Sequence, residues 1–374
     1  MDQLQRLIGL LAGLALVVAA CGPTEPVASP TPATTPGEEP TPEPPGETAE
    51  LRVAMIVAQG GLGDQSYNDL ANEGLARAEQ EFGIEAQRIE SPDIVAQGEA
   101  VLRQAGTTGF DVVIDLEFST ADALTALATE FPDTQWTFMN LPLEGDNITS
   151  FVFAEHEGSY LAGALAALAT ADTSIPGMNE ELVIGAVGGT KSVGIDKFIV
   201  GFIQGAQDVN PDVEVLVSYT DDFGDPVKGR QAAEAMFEQG ADIVYQIAGG
   251  AGLGVIQAAE DGGLWAIGVD TDQSAIAPGA VLTSMVKRTD VAVYDSVARG
   301  VEGTLAGGET LNLDLAAGGV ELGPIHESVP DEYVAQIEEL AQQVIDGEFE
   351  VWNVIEQGYP DFFSQVPDLD RRVV

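Results

Sequence analysis

The chain has 374 residues, of which 45% are hydrophobic, and this is enough for two packed lobes of ordinary domain size. Its 61 acidic and 14 basic side chains give a formal net charge of -47. Such a charge repels nucleic acid and anionic lipid headgroups, so it argues against nucleic acid as a partner and is typical of a solvated surface suited to high salt.

The first 20 residues have the pattern of a secretory signal peptide. Arg6 precedes an apolar run over 7–18, which is shorter than the roughly 20 apolar residues of a membrane span. Small residues then precede Cys21, the only cysteine, in a spacing that resembles a bacterial lipobox. We therefore expect cleavage before Cys21 and its lipidation, rather than the buried apolar role of many lone cysteines. A single cysteine also excludes an internal disulfide and a cysteine-based metal cluster.

Residues 21–50 form a predicted tether. After Cys21 this segment consists largely of Pro, Thr and Glu, with almost no large apolar side chains. Such a composition cannot bury a core, and it favours an extended, self-repelling chain rich in polyproline II conformation. The N-terminus therefore predicts a globular body held at the extracytoplasmic face of a cell membrane by a lipid anchor.

From residue 51 onward, short β-rich runs alternate with amphipathic helical segments. The predicted strands are 51–57, 110–117, 135–139, 182–188, 213–219, 242–248, 264–269 and 281–286. The predicted helices include 66–82, 121–131, 157–169, 195–209, 227–239 and 254–259. This alternation implies parallel sheets with helices on both faces, and the length implies two such units. The predicted fold class is therefore α/β, with two doubly wound parallel-sheet lobes.

The boundaries of the lobes follow from where the strand pattern restarts. We expect 51–150 and about 280–320 to form the first lobe, and about 151–279 to form the second. Residues 321–374 are predicted to be a C-terminal helical segment that packs on the lobes. Because ligands bind beyond the carboxyl ends of strands in open parallel sheets, the residues after each strand are the candidates for function.

The loop after the first strand, 60–68, is rich in glycine and ends at a predicted helix. Glycines let the backbone approach a ligand, and amides at a helix N-terminus point toward polar groups. Asp64 or Ser66 is explained by capping of that helix. Tyr67 and Asn68 have no such explanation, and they suit a stacking surface and a hydrogen-bonding partner for a planar ligand.

A second glycine-rich loop, 245–254, follows a strand of the second lobe. It lacks the third glycine of a dinucleotide-binding fingerprint, because Val255 stands where that glycine belongs, so no nicotinamide cofactor is expected. Tyr245 has two interpretations: a second aromatic face that sandwiches a planar ring with Tyr67, or a half-buried structural side chain. Base stacking on an aromatic side chain contributes roughly 1–3 kcal/mol.

Two charged residues end strands late in the chain. Asp270 and Lys287 can form an ion pair with each other, or can bracket vicinal hydroxyls as acceptor and donor. Lys287 also completes a Ser-x-x-Lys sequence with Ser284, but the partner motifs of acylating enzymes are lacking. The two histidines, His156 and His326, share no metal-ligand spacing. We therefore predict neither catalysis nor a cofactor nor a metal site.

Six stretches taken together resemble the basic membrane protein family, which comprises nucleoside-binding lipoproteins of bacterial ABC transporters. They are 61–68, 154–163, 210–213, 248–255, 267–274 and 282–288. The resemblance covers nearly all of 51–353 in the same order, and it is specific as a set rather than through any one stretch. It implies a two-lobed type I periplasmic-binding-protein fold with the ligand in the cleft.

The resemblance also implies roles for individual residues. Aromatic side chains at the positions of Tyr67 and Tyr245 stack on the base in that family. The positions of Asp270 and Lys287 hold the ribose hydroxyls, with help from a loop glycine that matches Gly250.

Several positions of the predicted site depart from the family, and Tyr67 and Tyr245 stand where Phe is frequent in it. Relatives often carry an acidic residue in the first loop, where this chain has Ala58 and Gln59, and they commonly have Asp where this chain has Asn140. Because amides donate as well as accept hydrogen bonds, the base preference can differ from the usual purine.

We therefore predict an extracytoplasmic solute-binding protein that binds a nucleoside, with a purine as the expected base, between two lobes. It binds without chemistry and docks on an ABC transporter permease. Closure would be driven by ligand contacts with both lobes. Three alternatives remain at this point: a binding protein for a sugar or another small metabolite, a tethered sensor, and an enzyme of the dehydrogenase or hydrolase class.

Overall fold

The computed structural model of the protein describes residues 51–363. The predicted signal peptide, the lipidation site at Cys21 and the tether lie outside the described residues. The described part contains two sheets, each flanked by helices, and the fold class predicted from the sequence is confirmed.

The first sheet has six strands, and all neighbouring strands are parallel. They are β1 (Val53–Ile56), β2 (Ala86–Ile89), β3 (Val112–Asp115), β4 (Gln135–Met139), β5 (Ile148–Phe153) and β11 (Glu309–Leu313). Their spatial order is β11-β5-β4-β3-β1-β2.

The second sheet also has six strands. They are β6 (Val183–Gly188), β7 (Glu214–Tyr219), β8 (Ala241–Ile247), β9 (Trp265–Asp270), β10 (Val281–Lys287) and β12 (Val320–Leu322). Their spatial order is β12-β10-β9-β8-β6-β7, and the edge strand β12 is antiparallel to β10.

The helices divide between the two sheets. The first lobe contains α1 (Tyr67–Phe82), α2 (Ile94–Thr108), α3 (Ala121–Glu130) and α8 (Thr289–Glu302). The second contains α4 (Glu155–Thr170), α5 (Val193–Val209), α6 (Pro226–Phe237) and α7 (Gly252–Gly262). Near the C-terminus, α9 (Asp331–Ile345) packs on α4, and the short α10 (Val354–Gln357) packs on α5.

Strand β1 is apolar at every position because both of its faces are buried. Val53 and Met55 pack into the same core cluster as residues of α1 and α8, whereas Ala54 and Ile56 pack with residues of α2 and α3. Successive side chains of a strand point to opposite faces, so a sheet covered on both faces needs apolar residues at every position. This burial places the polar residues of the lobe at the strand ends.

Helices α4 and α5 form the closest helix pair of the second lobe. A Cβ added to Gly163 would lie 1.9 Å from the carbonyl oxygen of Phe202, and one added to Gly205 would lie 1.9 Å from that of Tyr160. Only glycine permits this approach of the two backbones. A Cβ on Gly201 would likewise lie 2.3 Å from the carbonyl oxygen of His156, so the packing extends to the first turn of α4.

Strand β10 corrects the predicted lobe boundary. We expected about 280–320 to belong to the first lobe, but β10 pairs with β9 in the second sheet. The chain then crosses to the first lobe through α8 and β11, and returns to the second sheet at β12. A largely apolar run identifies β10 as a buried parallel strand, but it cannot indicate which of two similar sheets the strand joins.

Candidate ligand-binding cleft

A cavity lies between the carboxyl ends of the two sheets. The first lobe contributes Tyr67, Glu117, Phe118 and Asn140 to its wall, and the second contributes Phe198, Phe223, Asp270 and Lys287. An apolar, aromatic wall with a few converging polar groups is typical of small-molecule sites. Of the eight ligand-binding residues predicted from the sequence, six line this cavity, Gly250 adjoins the lining residue Gly249, and Tyr245 is not part of the lining.

The loop after β1 is organised by Asp64 and Asn68. The Asp64 carboxylate accepts hydrogen bonds from the backbone N–H groups of Ser66 (3.0 Å), Asn68 (2.9 Å) and Asp69 (3.1 Å), and therefore caps α1. Asn68 Oδ1 accepts from the backbone N–H of Ala58 at 2.9 Å, and Asn68 Nδ2 donates to Asp64 and to the carbonyl of Gln59. Asn68 lines the cavity, but its amide is used to hold the loop.

Tyr67 lies at the first helical position and lines the cavity. Its hydroxyl donates to the carbonyl oxygen of Leu116 at 3.1 Å and accepts from Asn140 Nδ2 at 3.0 Å. Burial raises the pKa of Tyr67 well above its usual value, so the phenol stays neutral. With its hydroxyl engaged as both donor and acceptor, the ring is held in one orientation, and Lys287 Nζ lies over it at 4.8 Å from the ring centroid.

Asn140 connects the two lobes. It adopts a left-handed backbone conformation (φ 80°) immediately after β4, which asparagine tolerates better than most residues. Its Oδ1 accepts a hydrogen bond from Lys287 Nζ at 2.6 Å, while its Nδ2 donates to Tyr67. Through these two hydrogen bonds the Asn140 amide links Tyr67 of the first lobe to Lys287 of the second.

Asp270 ends β9 and is also left-handed (φ 68°). Its Oδ2 accepts a hydrogen bond from the hydroxyl of Ser66 at 2.6 Å, across the cleft. Burial raises the pKa of Asp270 to about 6, although the nearby Lys287 ammonium opposes that rise. Among the described residues, Oδ1 has no hydrogen-bond donor, so this oxygen is available to a ligand hydroxyl.

Lys287 belongs to a buried cluster of three charges. Its Nζ lies 2.9 Å from Glu155 Oε1, and Lys197 Nζ lies 2.5 Å from Glu155 Oε2. None of the three residues is more than 4% exposed. Burial alone would raise the pKa of Glu155, but the two ammonium groups outweigh it and the pKa is lowered. Lys287 therefore pairs with Glu155, and the predicted alternative of an ion pair with Asp270 is wrong.

Tyr245 is a core residue. It is fully buried in the middle of β8, its ring centroid lies 5.2 Å from that of Phe202, and its hydroxyl is 3.1 Å from Ser159 Oγ. The assignment of Tyr245 to a stacking surface is corrected, because its side chain points into the α4–α5 layer, away from the strand ends. Phe223, in the loop after β7, and Phe198 of α5 are the aromatic residues with which the second lobe lines the cavity.

Gly250 and Gln59 lie at the meeting of the lobes. A Cβ on Gly250 would lie 3.2 Å from the carbonyl oxygen of Phe223 and 3.6 Å from Asp64, so glycine permits the close approach of these loops. Gln59 donates from its backbone N–H and its side-chain amide to Glu117. Glu117 was missed because the strand before it was predicted to extend to residue 117, which hid a charged residue at the strand end.

Hydrogen bonds join the two lobes at several points around the cavity. Besides the Ser66–Asp270 and Asn140–Lys287 bonds, Gln273 Nε2 donates to the carbonyl oxygen of Gln65 at 2.9 Å. The cleft is therefore in a closed arrangement. In residues 51–363 no group of His, Cys, Asp or Glu is placed to hold a metal ion, and no helix has the length and apolarity to span a membrane.

The different positions of Tyr245 and Phe223 give a first prediction. Tyr245→Phe is expected to lower the free energy of unfolding by about 1 kcal/mol, since one buried hydrogen bond is lost, and to leave ligand affinity within about twofold. Phe223→Ala should instead weaken binding of a planar ligand by about 5- to 150-fold, because a stacking surface is lost. Calorimetric titration and denaturant unfolding of both variants check this, and a loss of affinity in Tyr245→Phe would contradict it.

The two sheets, the chain crossings between them and the enclosed cleft define a two-lobed solute-binding protein. A family model described as "ABC transporter substrate-binding protein PnrA-like" matches residues 51–353, so the chain belongs to the Bmp family. The resemblance seen in the sequence is thereby confirmed. A substrate-binding component of an ABC transporter implies a small-molecule ligand and transporter subunits as partners, and the family is not one of enzymes.

Individual relatives agree with this assignment. The chain is 30% identical to the ABC transporter nucleoside-binding protein BmpA of Lactococcus lactis, over 81% of this chain and 89% of that protein. It is equally 30% identical to the CD4+ T-cell-stimulating antigen of Listeria monocytogenes, over 81% and 88% of the two chains.

A solved solute-binding protein of an ABC transporter from Aeropyrum pernix shares the fold, with a TM-score of 0.71 and 28% identity over 81% of this chain and 93% of that one. Another from Conexibacter woesei has a TM-score of 0.63 and 25% identity, over 81% and 99% of the two chains.

Proposed function

We propose that this protein binds a nucleoside in the closed cleft and presents it to the permease of an ABC transporter. The observation that carries the proposal is the pairing of two kinds of contact in one cavity. Aromatic rings come from both lobes, through Tyr67 and Phe223, and a hydroxyl-binding carboxylate with a free oxygen comes from Asp270. A planar base and a ribose need both kinds of contact.

Lys287 supports the ribose end of this site. Its ammonium is held at 2.6 Å from Asn140 Oδ1 and 2.9 Å from Glu155 Oε1, which uses two of its three donors. The third donor remains for a ligand oxygen beside Asp270. The nucleoside-binding name of the Lactococcus lactis relative points to the same ligand class.

A panel of ligands tests this proposal directly. Thermal unfolding of the protein in high salt is followed with purine and pyrimidine nucleosides, free bases and simple sugars. A ligand at 100 times its Kd adds about 2.7 kcal/mol of stability, which is a shift of a few degrees in a protein of this size. A higher unfolding temperature with nucleosides supports the proposal. A higher unfolding temperature with sugars alone would mean that the ligand is a sugar, and the transport role would remain.

The membrane anchor is the second part of the proposal. The lipobox-like sequence before Cys21 supports it, as does the name "lipoprotein" carried by a Pyrococcus abyssi relative that is 29% identical over 83% of this chain. The mature protein is expected to partition into the detergent phase of a Triton X-114 extraction, and Cys21→Ser to leave it in the aqueous phase. Equal partitioning of the two proteins would refute lipidation at Cys21.

A further inference from the structure

Glu117 is a buried carboxylate in the wall of the cavity that the ribose contacts do not use. It follows β3 in the first lobe and has no exposed surface. A buried carboxylate must be hydrogen-bonded to persist in its charged form. The hydrogen-bond donors around Glu117 therefore indicate its role.

The donors around Glu117 fill only part of its capacity. Oε1 accepts from Gln59 Nε2 at 3.2 Å and from the backbone N–H of Ser119 at 3.0 Å. Within residues 51–363, Oε2 accepts only from the backbone N–H of Gln59, at 3.0 Å. Each carboxylate oxygen has two acceptor positions, and an amide nitrogen carries two hydrogens. The Glu117–Gln59 pair thus retains one acceptor on Oε2 and one donor on the amide.

This pair lies beside one end of the Tyr67 ring. The Tyr67 hydroxyl donates to the carbonyl of Leu116, the residue before Glu117, whereas Asp270 approaches from the second lobe and bonds to Ser66, the residue before Tyr67. A ligand stacked on Tyr67 can therefore place its hydroxyls at Asp270 and its ring edge at Glu117.

We propose that Glu117 and Gln59 recognise the hydrogen-bonding edge of the ligand's ring. Glu117 Oε2 accepts one ring or amino N–H, and the Gln59 amide donates to the neighbouring acceptor. The inference rests on the proposed nucleoside function and narrows its ligand class to nucleosides whose base edge carries an unsubstituted N–H beside an acceptor. Methylation of that edge removes the donor and places a methyl group against a carboxylate.

A purely structural role for Glu117 makes a different prediction. Its bond to the N–H of Ser119 caps a short turn, Phe118–Thr120, and its bonds to Gln59 hold the first loop. If that were its whole role, a substitution would lower the affinity for every ligand by the same factor. Edge-methylated nucleosides separate the two roles.

The experiment is a calorimetric titration of the wild type and Glu117→Gln with matched ligand pairs: inosine and 1-methylinosine, uridine and 3-methyluridine, adenosine and N6,N6-dimethyladenosine. Glu117→Gln keeps the side-chain size and one acceptor oxygen for Ser119. For the parent nucleoside that binds, the wild type should prefer the unmethylated form by at least about tenfold. Glu117→Gln should weaken that form by about tenfold to a hundredfold and the methylated form far less.

Glu130→Gln, at an exposed position at the end of α3 in the same lobe, is the matched control and should change neither affinity. Two outcomes overturn the inference while the nucleoside function survives: equal binding of parent and methylated forms by the wild type, or an equal loss for both in Glu117→Gln. Absence of binding by every nucleoside would overturn the proposed function, and this inference with it.

Discussion

Replacing Glu155 with glutamine is expected to lower the free energy of unfolding by about 3–5 kcal/mol. The carboxylate lies between the ammonium groups of Lys197 and Lys287, and all three side chains are buried. Removing the single negative charge leaves two positive charges close together in a medium where neither is well solvated. Denaturant unfolding at pH 7 measures the loss.

Two variants serve as controls for Glu155→Gln. Lys197→Met leaves one carboxylate paired with one ammonium, so it should cost much less. Glu130→Gln breaks an exposed contact with Arg103 and should cost less than about 1 kcal/mol. A cost for Glu155→Gln as small as that for Glu130→Gln would show that the buried cluster does not stabilise the fold.

The pH dependence of Glu155→Gln has a definite sign. Burial already lowers the pKa of Lys197, while Glu155 opposes that effect. Without Glu155 the pKa should fall further. A lysine with a depressed pKa in the folded state adds stability at high pH and loses it as the pH falls. The difference in the free energy of unfolding between the wild type and Glu155→Gln should therefore decrease as the pH is raised from 7 toward 10.

Asp270→Asn is expected to weaken riboside binding by about tenfold to a hundredfold and to leave the affinity for the free base nearly unchanged. The carboxylate oxygen that faces the cavity would lose its charge, and hydrogen bonds to charged groups contribute about 1.5–3 kcal/mol. Asparagine tolerates the left-handed backbone of this position, so the fold should persist. Titration with a nucleoside and its base checks the result, and an equal loss for both would remove Asp270 from ribose recognition.

Asp270 should also make riboside binding depend on pH. Its pKa is raised to about 6 by burial, against the opposing charge of Lys287, while the charges of Asp64 and Glu155 add to the rise. If ligand hydroxyls bind the ionised form, affinity falls below pH 6 by up to about tenfold per pH unit. Asp270→Asn should abolish this decline in affinity. Burial raises the pKa of Asp115 to about 7, but Asp115 is present in both proteins, so its titration does not affect the difference between them.

Protonation of Asp270 weakens riboside binding, but it has the opposite effect on the stability of the unliganded fold. The folded protein binds the proton more tightly than the unfolded chain, in which the pKa is near 3.8. Protonation of Asp270 therefore stabilises the unliganded fold at low pH, and this contribution is lost as the pH rises through about 6. Acidification should thus weaken riboside binding without a matching loss of stability from this group.

Much of the fold could be predicted from the sequence. Strands β4 and β10 were placed to within one residue, and the helices after β1, β6 and β7 were placed to within two or three. The strands are almost continuously apolar because both faces of their sheets are covered, and the helices are amphipathic because one side of each packs on a sheet. Four strands within residues 51–363 were missed. Strands β2, β11 and β12 are short and partly exposed, so their sequences lack a buried apolar run. Strand β5 is buried and six residues long, and it was missed all the same.

The candidate site was predicted less completely than the fold. The rule that ligands bind at strand ends located Asp270, Lys287 and Asn140, because these polar residues follow apolar strands. It failed for Tyr245, which lies two residues before the end of β8 and faces the helices. Glu117 and Lys197 were missed because their partners, Gln59 and Glu155, are distant along the chain.

The sequence by itself determined that this protein has two α/β lobes with polar loops at the strand ends, since hydrophobic periodicity and glycine placement are local properties. Only the tertiary structure decided which sheet receives β10, which aromatic residues of the second lobe reach the cavity, and which charges meet in its wall. Those outcomes depend on strand register and helix packing, which bring together residues such as Asn140 and Lys287 from positions 147 residues apart.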